Sequence, residues 1–206
     1  MSLVRVLPWQ RLVVTALLIP LLAACGSGGA ASFDPNAPCT ADGQLQGAYP
    51  ELEAALPSSF DDAAPVRRDS GRNCTDAALG TLAAHGIEEI RFAGALWETG
   101  KRSGVTVAVF TAPGLTAERL FEFYETGARG ARKTDNIDTK TITVDGVTGD
   151  RLDALNDESF QSILVFDGEA PDTVKAVLIA SDAREVQTKQ AHEEVVRRAA
   201  EATLAP

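Results

Sequence analysis

Two periodicities alternate along this chain, and each switch between them marks an element. "IEEIRFAGALWE", Ile87 to Glu98, places Ile90, Phe92, Gly94 and Leu96 on one side and Arg91, Ala93, Ala95 and Trp97 on the other, the period of two that a strand requires. "TGKRSG" reads as a turn. Val105, Val107 and Val109 then alternate with Thr106, Ala108 and Phe110 in a returning strand that is apolar on both sides, so cover is expected on both faces. After "APGL" the period becomes helical: Thr116 is placed to cap, Glu118 falls in the first turn, and Leu120, Phe121, Phe123, Tyr124 and Ala128 form a wide apolar side.

The period of two returns in "TKTITV", "VTGDRLDAL", "SFQSILVF" and "TVKAVLIAS", joined by Asp145-Gly146, by Asn156-Asp157 and by "DGEAPD". Short joins of that kind favour an antiparallel meander. A last helix is expected from about Asp182 to Thr203, with Val186, Val195, Val196, Ala199 and Ala200 inward, and with Glu193 and Glu194 four residues ahead of Arg197 and Arg198 outside. Ahead of the hairpin, "YPELEAALP" reads as a short helix carrying Leu52 and Leu56 and ended by Pro57. "SSFDDAAPVRRDSGRNC" has neither period and is expected to be a surface loop. Thr75 then caps a helix through Leu79 and Leu82 that stops at Gly86. The order predicts one α+β domain over residues 45–206, a mostly antiparallel sheet of about six strands sandwiched between helices.

The first 24 residues follow neither pattern. They carry Arg5 and Arg11, no acid, and an apolar stretch from Leu12 to Ala24 interrupted by Pro20, which is the layout of a secretory signal peptide. About a dozen apolar residues fall short of the roughly 20 that span a bilayer. Leu22-Ala23-Ala24-Cys25 resembles a bacterial lipobox: an aliphatic residue, two small ones, then the cysteine that becomes residue one of the mature chain. The resemblance implies a diacylglyceryl thioether on Cys25, cleavage before it, and a protein tethered on the extracytoplasmic side of the cell membrane or the outer membrane. Residues 25–44 are then anchor and linker. Within them "GSGGAASFDPNAP", Gly26 to Pro38, has the composition of a leash with an r.m.s. reach of about 20 Å.

Charge and cysteines narrow the picture further. The 206-residue chain has a formal charge of −10, and losing two arginines and no acid with the signal leaves −12. That balance disfavours nucleic acid, whose phosphates demand clustered Lys and Arg, and disfavours a basic patch on an anionic surface. With Cys25 assigned to lipid, Cys39 and Cys74 remain, and an exported compartment permits their pairing. Closing that loop would stabilise the fold by about 4 kcal/mol in the chain-entropy model. A reactive pair would call for a C-x-x-C spacing or a basic setting, which neither residue shows in the sequence.

Catalytic signatures are sparse. His85 and His192 are the two histidines, the first beside a predicted helix end and the second on the stripe of Val195 and Val196, so a His-based triad or multi-His metal site has little to draw on. No G-x-S-x-G, no S-x-x-K in the mature domain and no phosphate-binding Gly-rich loop occurs. The carboxylates at Asp61-Asp62, at Asp135 with Asp138, and along Asp150, Asp153, Asp157 and Glu158 do not follow the calcium-loop pattern. Neither a cofactor nor a metal site is expected. "GARGAR", Gly127 to Arg132, reads as a helix end, and Trp97, Tyr124, Phe123 and Arg91 line either a cleft or the core.

The stretch from "VTVAVFTAPGLTAERLFEFY" through "VDGVTGDRLDAL" to "VLIASDAREVQTKQAHEEVVRRAAEATL" resembles the PsbP-like group, which includes many actinobacterial lipoproteins. The likeness lies in element order and in a strand-borne Val-x-Gly at Val144 to Gly146 or Val147 to Gly149, and it covers about Arg91 to the end. It implies action through binding surfaces, with no shared catalytic set to carry over. The expectation is a lipid-anchored, non-catalytic module whose partners are the membrane, through Cys25, and an envelope protein. The alternative is a module that holds a small or apolar ligand between sheet and helix.

Overall fold

The computed structural model describes residues 33–131, 134–156, 158–186 and 189–205. The elements in chain order are β1 (Gly43–Leu45), α1 (Pro50–Ala54), β2 (Arg67–Asn73), α2 (Asp76–Leu79), α3 (Thr81–Ala84), β3 (Ile90–Gly100), β4 (Ser103–Thr111) and α4 (Ala117–Gly130). They continue with β5 (Thr134–Val144), β6 (Val147–Asn156), β7 (Ser159–Asp167), β8 (Thr173–Asp182), α5 (Ala183–Val186) and α6 (Lys189–Leu204).

All eight strands join one antiparallel sheet in the order β1-β2-β3-β4-β8-β7-β6-β5. Two four-strand meanders meet where β4 pairs with β8. The α4 crossing carries the chain to the far edge, and the second meander walks back. Its β5–β6 hairpin closes on Asp145 and Gly146 at φ 49° and 84°, the left-handed pair that a two-residue turn of this hand requires.

Helices cover both faces of the centre, as β4 demands. On one face Leu79, Leu82, Leu120 and Ala128 of α2, α3 and α4 pack on Ile90, Phe92, Phe110, Leu152 and Val165. On the other, Val196, Ala199 and Ala200 of α6, with Leu56 and Phe60, pack on Trp97, Val105, Val107, Phe166 and Ile179. Each fully buried aliphatic side chain contributes roughly 1.5–3 kcal/mol. Caps define the helix starts: Thr75 accepts from Ala78 N, and Thr116 accepts from Arg119 N. No helix among the described residues is long and apolar enough to cross a membrane.

The sheet is larger than six strands. The extra pair are β1 and β2, and β2, "RRDSGRN", lies inside the stretch expected to be a surface loop. It forms because seven consecutive residues pair with β3 while Asp69, Ser70, Arg72 and Asn73 are buried, a polar strand without an apolar period. The helix expected from Thr75 is broken at Gly80, φ 50°, into α2 and α3. At the C-terminal end Asp182 closes β8, and the helix expected from there is two segments, α5 and α6. Glu193 turns inward to Arg151 of β6 instead of pairing with Arg197, which takes Glu194 and Glu201.

Candidate functional site

Cys39 and Cys74 form a disulfide across 35 residues with a Cα separation of 6.1 Å. Asp42 fastens the same corner, accepting from Cys74 N at 2.8 Å, Thr75 N at 3.1 Å and Thr75 Oγ1 at 2.6 Å. This corner lays residues 33–39 across the end of β2 as a strap. Arg72 clasps the strap by donating to the carbonyls of Asp34, Pro35 and Pro38 at 3.2–3.4 Å, and its guanidinium lies under the Phe33 ring.

The strap, the start of α1 and the neighbouring ends of β2 and β3 enclose a cleft of about 680 Å³, with Tyr49, Glu51, Arg72, Glu89 and Arg91 in its walls. Sheet register places Arg72 directly opposite Arg91. Like charges opposed across a strand pair are unfavourable. Glu89 offsets them unequally, with a carboxylate oxygen 2.8 Å from Arg91 Nε and another 3.9 Å from Arg72 Nη1. That hydrogen bond raises the Arg91 pKa, so Arg91 is held charged. Arg91 also lies over the Tyr49 ring, and burial pushes the Tyr49 hydroxyl up. Tyr49 donates through its hydroxyl to Pro35 O and through its backbone N to Ser70 Oγ, tying the cleft wall to both strap and strand.

A second cleft, of about 470 Å³, lies on the α6 face, where Phe60, Trp97 and Val195 meet Ser103, Glu185 and Arg198. A buried polar chain starts at its wall, where Ser181 lines it, and runs inward. Ser162 Oγ donates to Asp153 Oδ1 at 2.5 Å, which leaves it to accept from His192 Nε2 at 2.9 Å and from Arg151 Nη2. His192 Nδ1 therefore accepts from the Ser181 hydroxyl at 2.8 Å. Burial, helped by the charge of Arg151, lowers the His192 pKa to about 4, so the ring is neutral at neutral pH. Burial works to raise the Asp153 pKa, but the hydrogen bonds from Ser162 and Arg151 and the Arg151 charge hold it below the usual range. The order resembles a nucleophile–base–acid relay, yet Ser181 is 1% exposed, Ser162 0% and His192 3%. A nucleophile must meet its substrate, and this chain is a satisfied polar core that fixes α6 to the sheet.

The residues singled out in the sequence fall in different places. Cys25 and its lipobox lie outside the described residues. Trp97 sits against Phe60 on the α6 face, Phe123 and Tyr124 pack on the α4 face, and Arg91 lines the strap cleft, so these four do not share one cleft. His85, at the end of α3, meets Glu122 of α4 at 2.7 Å. Asp61 pairs with Arg198, and Asp150 accepts from Thr141. Among the described residues no group of three or more His, Cys, Asp or Glu is placed to hold a metal ion. Tyr49, Glu51, Arg72 and Glu89 were not singled out; the one sequence signal for the site is that Arg72 stands two residues before Cys74.

No protein-family model matches this chain, and no curated protein matches it significantly.

Proposed function

We propose that this protein is a lipid-anchored extracytoplasmic lipoprotein whose α+β domain is a non-catalytic binding module for a component of the cell envelope. The observation that carries the reading is the Cys39–Cys74 disulfide. Such a bond persists in an oxidising compartment, and it supports export independently of the signal-like segment and of the Leu22-Ala23-Ala24-Cys25 lipobox. The strap cleft beside it offers fixed charges and rings on a wall locked by that bond. The PsbP-like resemblance, with its emphasis on binding surfaces, points the same way.

A palmitate analogue supplied to expressing cells should label the wild type, while Cys25→Ser should lose the label and leave the membrane fraction. A variant that stays labelled would overturn the anchor. For the binding role, crosslinking in intact cells followed by purification should recover a specific envelope partner, and recovery of none above background would count against a protein partner. The second reading, a small-ligand module, is favoured by the volume and charged lining of the strap cleft. Native mass spectrometry separates the two, since a retained small molecule favours the second.

A further inference from the structure

We propose that the strap cleft binds the zwitterionic headgroup of a membrane phospholipid, with its phosphate at the Arg72 and Arg91 guanidiniums and its ammonium at Glu51. This deepens the binding role proposed above and rests on the Cys25 anchor for the source of the ligand.

The first argument is the arginine pair. Arg72 and Arg91 are directly opposed on neighbouring strands and line the same cleft. Arg72 is 5% exposed, its Nε has no hydrogen-bond partner, and its other nitrogens donate to backbone carbonyls at 3.2–3.4 Å. A buried guanidinium calls for an anion. Glu89 hydrogen-bonds Arg91 and stands 3.9 Å from Arg72, so a single carboxylate is divided between the two guanidiniums. Two planar guanidiniums lining one cleft suit the oxygens of a phosphate group.

The second argument is the balance of the cleft. Glu51 is exposed on the same wall, and its field adds to the forces that keep Arg91 charged. The cleft thus presents both signs. The formal −12 of the mature chain repels a simple anion approaching from solution. A ligand carrying an ammonium beside its phosphate is spared that repulsion and engages Glu51 as well.

The third argument is chain length. Pro35, in the cleft wall, stands ten residues after Cys25, and ten residues fully extended span at most about 35 Å. A lipid on Cys25 therefore keeps the cleft within that distance of the bilayer, where phospholipid headgroups are the most concentrated zwitterions.

The test uses the full-length lipidated protein in detergent, titrated calorimetrically with phosphorylethanolamine and with inorganic phosphate. Wild type should bind phosphorylethanolamine saturably and inorganic phosphate more weakly. Arg91→Gln, at a half-exposed side chain that folding tolerates, should weaken phosphorylethanolamine by about tenfold or more. Glu51→Gln should weaken phosphorylethanolamine while binding inorganic phosphate no more weakly than the wild type does. Absence of binding, equal binding of inorganic phosphate, or unchanged affinity in Arg91→Gln overturns the proposal. In phosphatidylethanolamine vesicles, a headgroup-borne photocrosslinker should mark the peptides containing Tyr49 or Arg91; no mark there overturns the lipid source in favour of a soluble one. Mass spectrometry of the N-terminal peptide on the same samples reports lipidation. An unlipidated chain that binds phosphorylethanolamine thus refutes the anchor alone, and a lipidated chain that does not bind refutes the cleft alone.

Discussion

His192 Nδ1 and the Ser181 hydroxyl are joined by a buried hydrogen bond in which the neutral imidazole accepts. The Ser181 hydroxyl donates to Nδ1, and Nε2–H is spent on Ser162. A second ring proton would bury a charge beside the fixed charge of Arg151 and turn the Ser181 hydroxyl from donor to acceptor. Lys189, Glu193, Asp153 and Lys140 complete the charged surroundings of the ring.

Acid should therefore loosen this domain through His192. The folded pKa of about 4 lies below the ordinary 6.5, so the unfolded chain takes up the proton first. The stability from neutral His192 is complete above about pH 6.5 and drains as the pH falls toward 4, by about 3 kcal/mol in all. Urea unfolding at pH 7, 5.5 and 4.5 should show the midpoint falling across this window. A flat midpoint between pH 7 and 5 would contradict the buried neutral ring.

Arg151 holds Asp153 and, bidentately, Glu193, and thereby bolts β6 to α6. Arg151→Met takes the bidentate cation from Glu193 and leaves Asp153 with Lys140 as its cation, 3.1 Å away. The expected loss is about 3 kcal/mol, with a coupling energy to Glu193→Gln in a double-mutant cycle. Purely additive effects of the two substitutions would show that the bridge is idle.

Removing the Cys39–Cys74 bond with the pair Cys39→Ser and Cys74→Ser should cost up to about 4 kcal/mol. Loss of stability should match that of the wild type after reduction. Two titratable thiols in the unreduced exported protein would refute the bond.

Gly71 in β2 faces the Gly43 carbonyl and the Gln44 backbone so closely that a Cβ there cannot fit. Gly71→Ala should force β1 off the sheet and cost about 1–3 kcal/mol. Amide exchange should accelerate at residues 43–45 and spare β7 and β8. Uniform acceleration would mean that β1 is not an independent edge.

Legibility in the sequence tracked how local the determining physics is. The β5–β6 turn was readable because Asp145-Gly146 fixes its own backbone, and the Thr75 and Thr116 caps act within three residues. The β3–β4 hairpin and the later meander declared themselves by alternation. β2 did not, since its buried polar residues take partners that no apolar pattern displays: Arg67 and Gln44 for Asp69, Tyr49 and Glu53 for Ser70, and the strap carbonyls for the terminal nitrogens of Arg72. Apolar periodicity cannot register a strand of that kind. The cleft was hidden for the same reason, because Tyr49, Arg72 and Arg91 meet only after β2 pairs with β3 and the disulfide lays the strap over them. His192 was placed on an apolar stripe, while its two serine partners come from β7 and β8.

The disulfide also decides how the domain responds to being pulled. Tension arriving along the segment ahead of Cys39 crosses to Cys74 through a covalent bond and enters the sheet at the end of β2, which is paired with β3 over seven residues. Residues 40–66, with β1, α1 and the wall carrying Tyr49, sit in a closed loop outside that line of force. A pull on the segment ahead of Cys39 loads β2 and β3 and leaves the edge strand β1 slack.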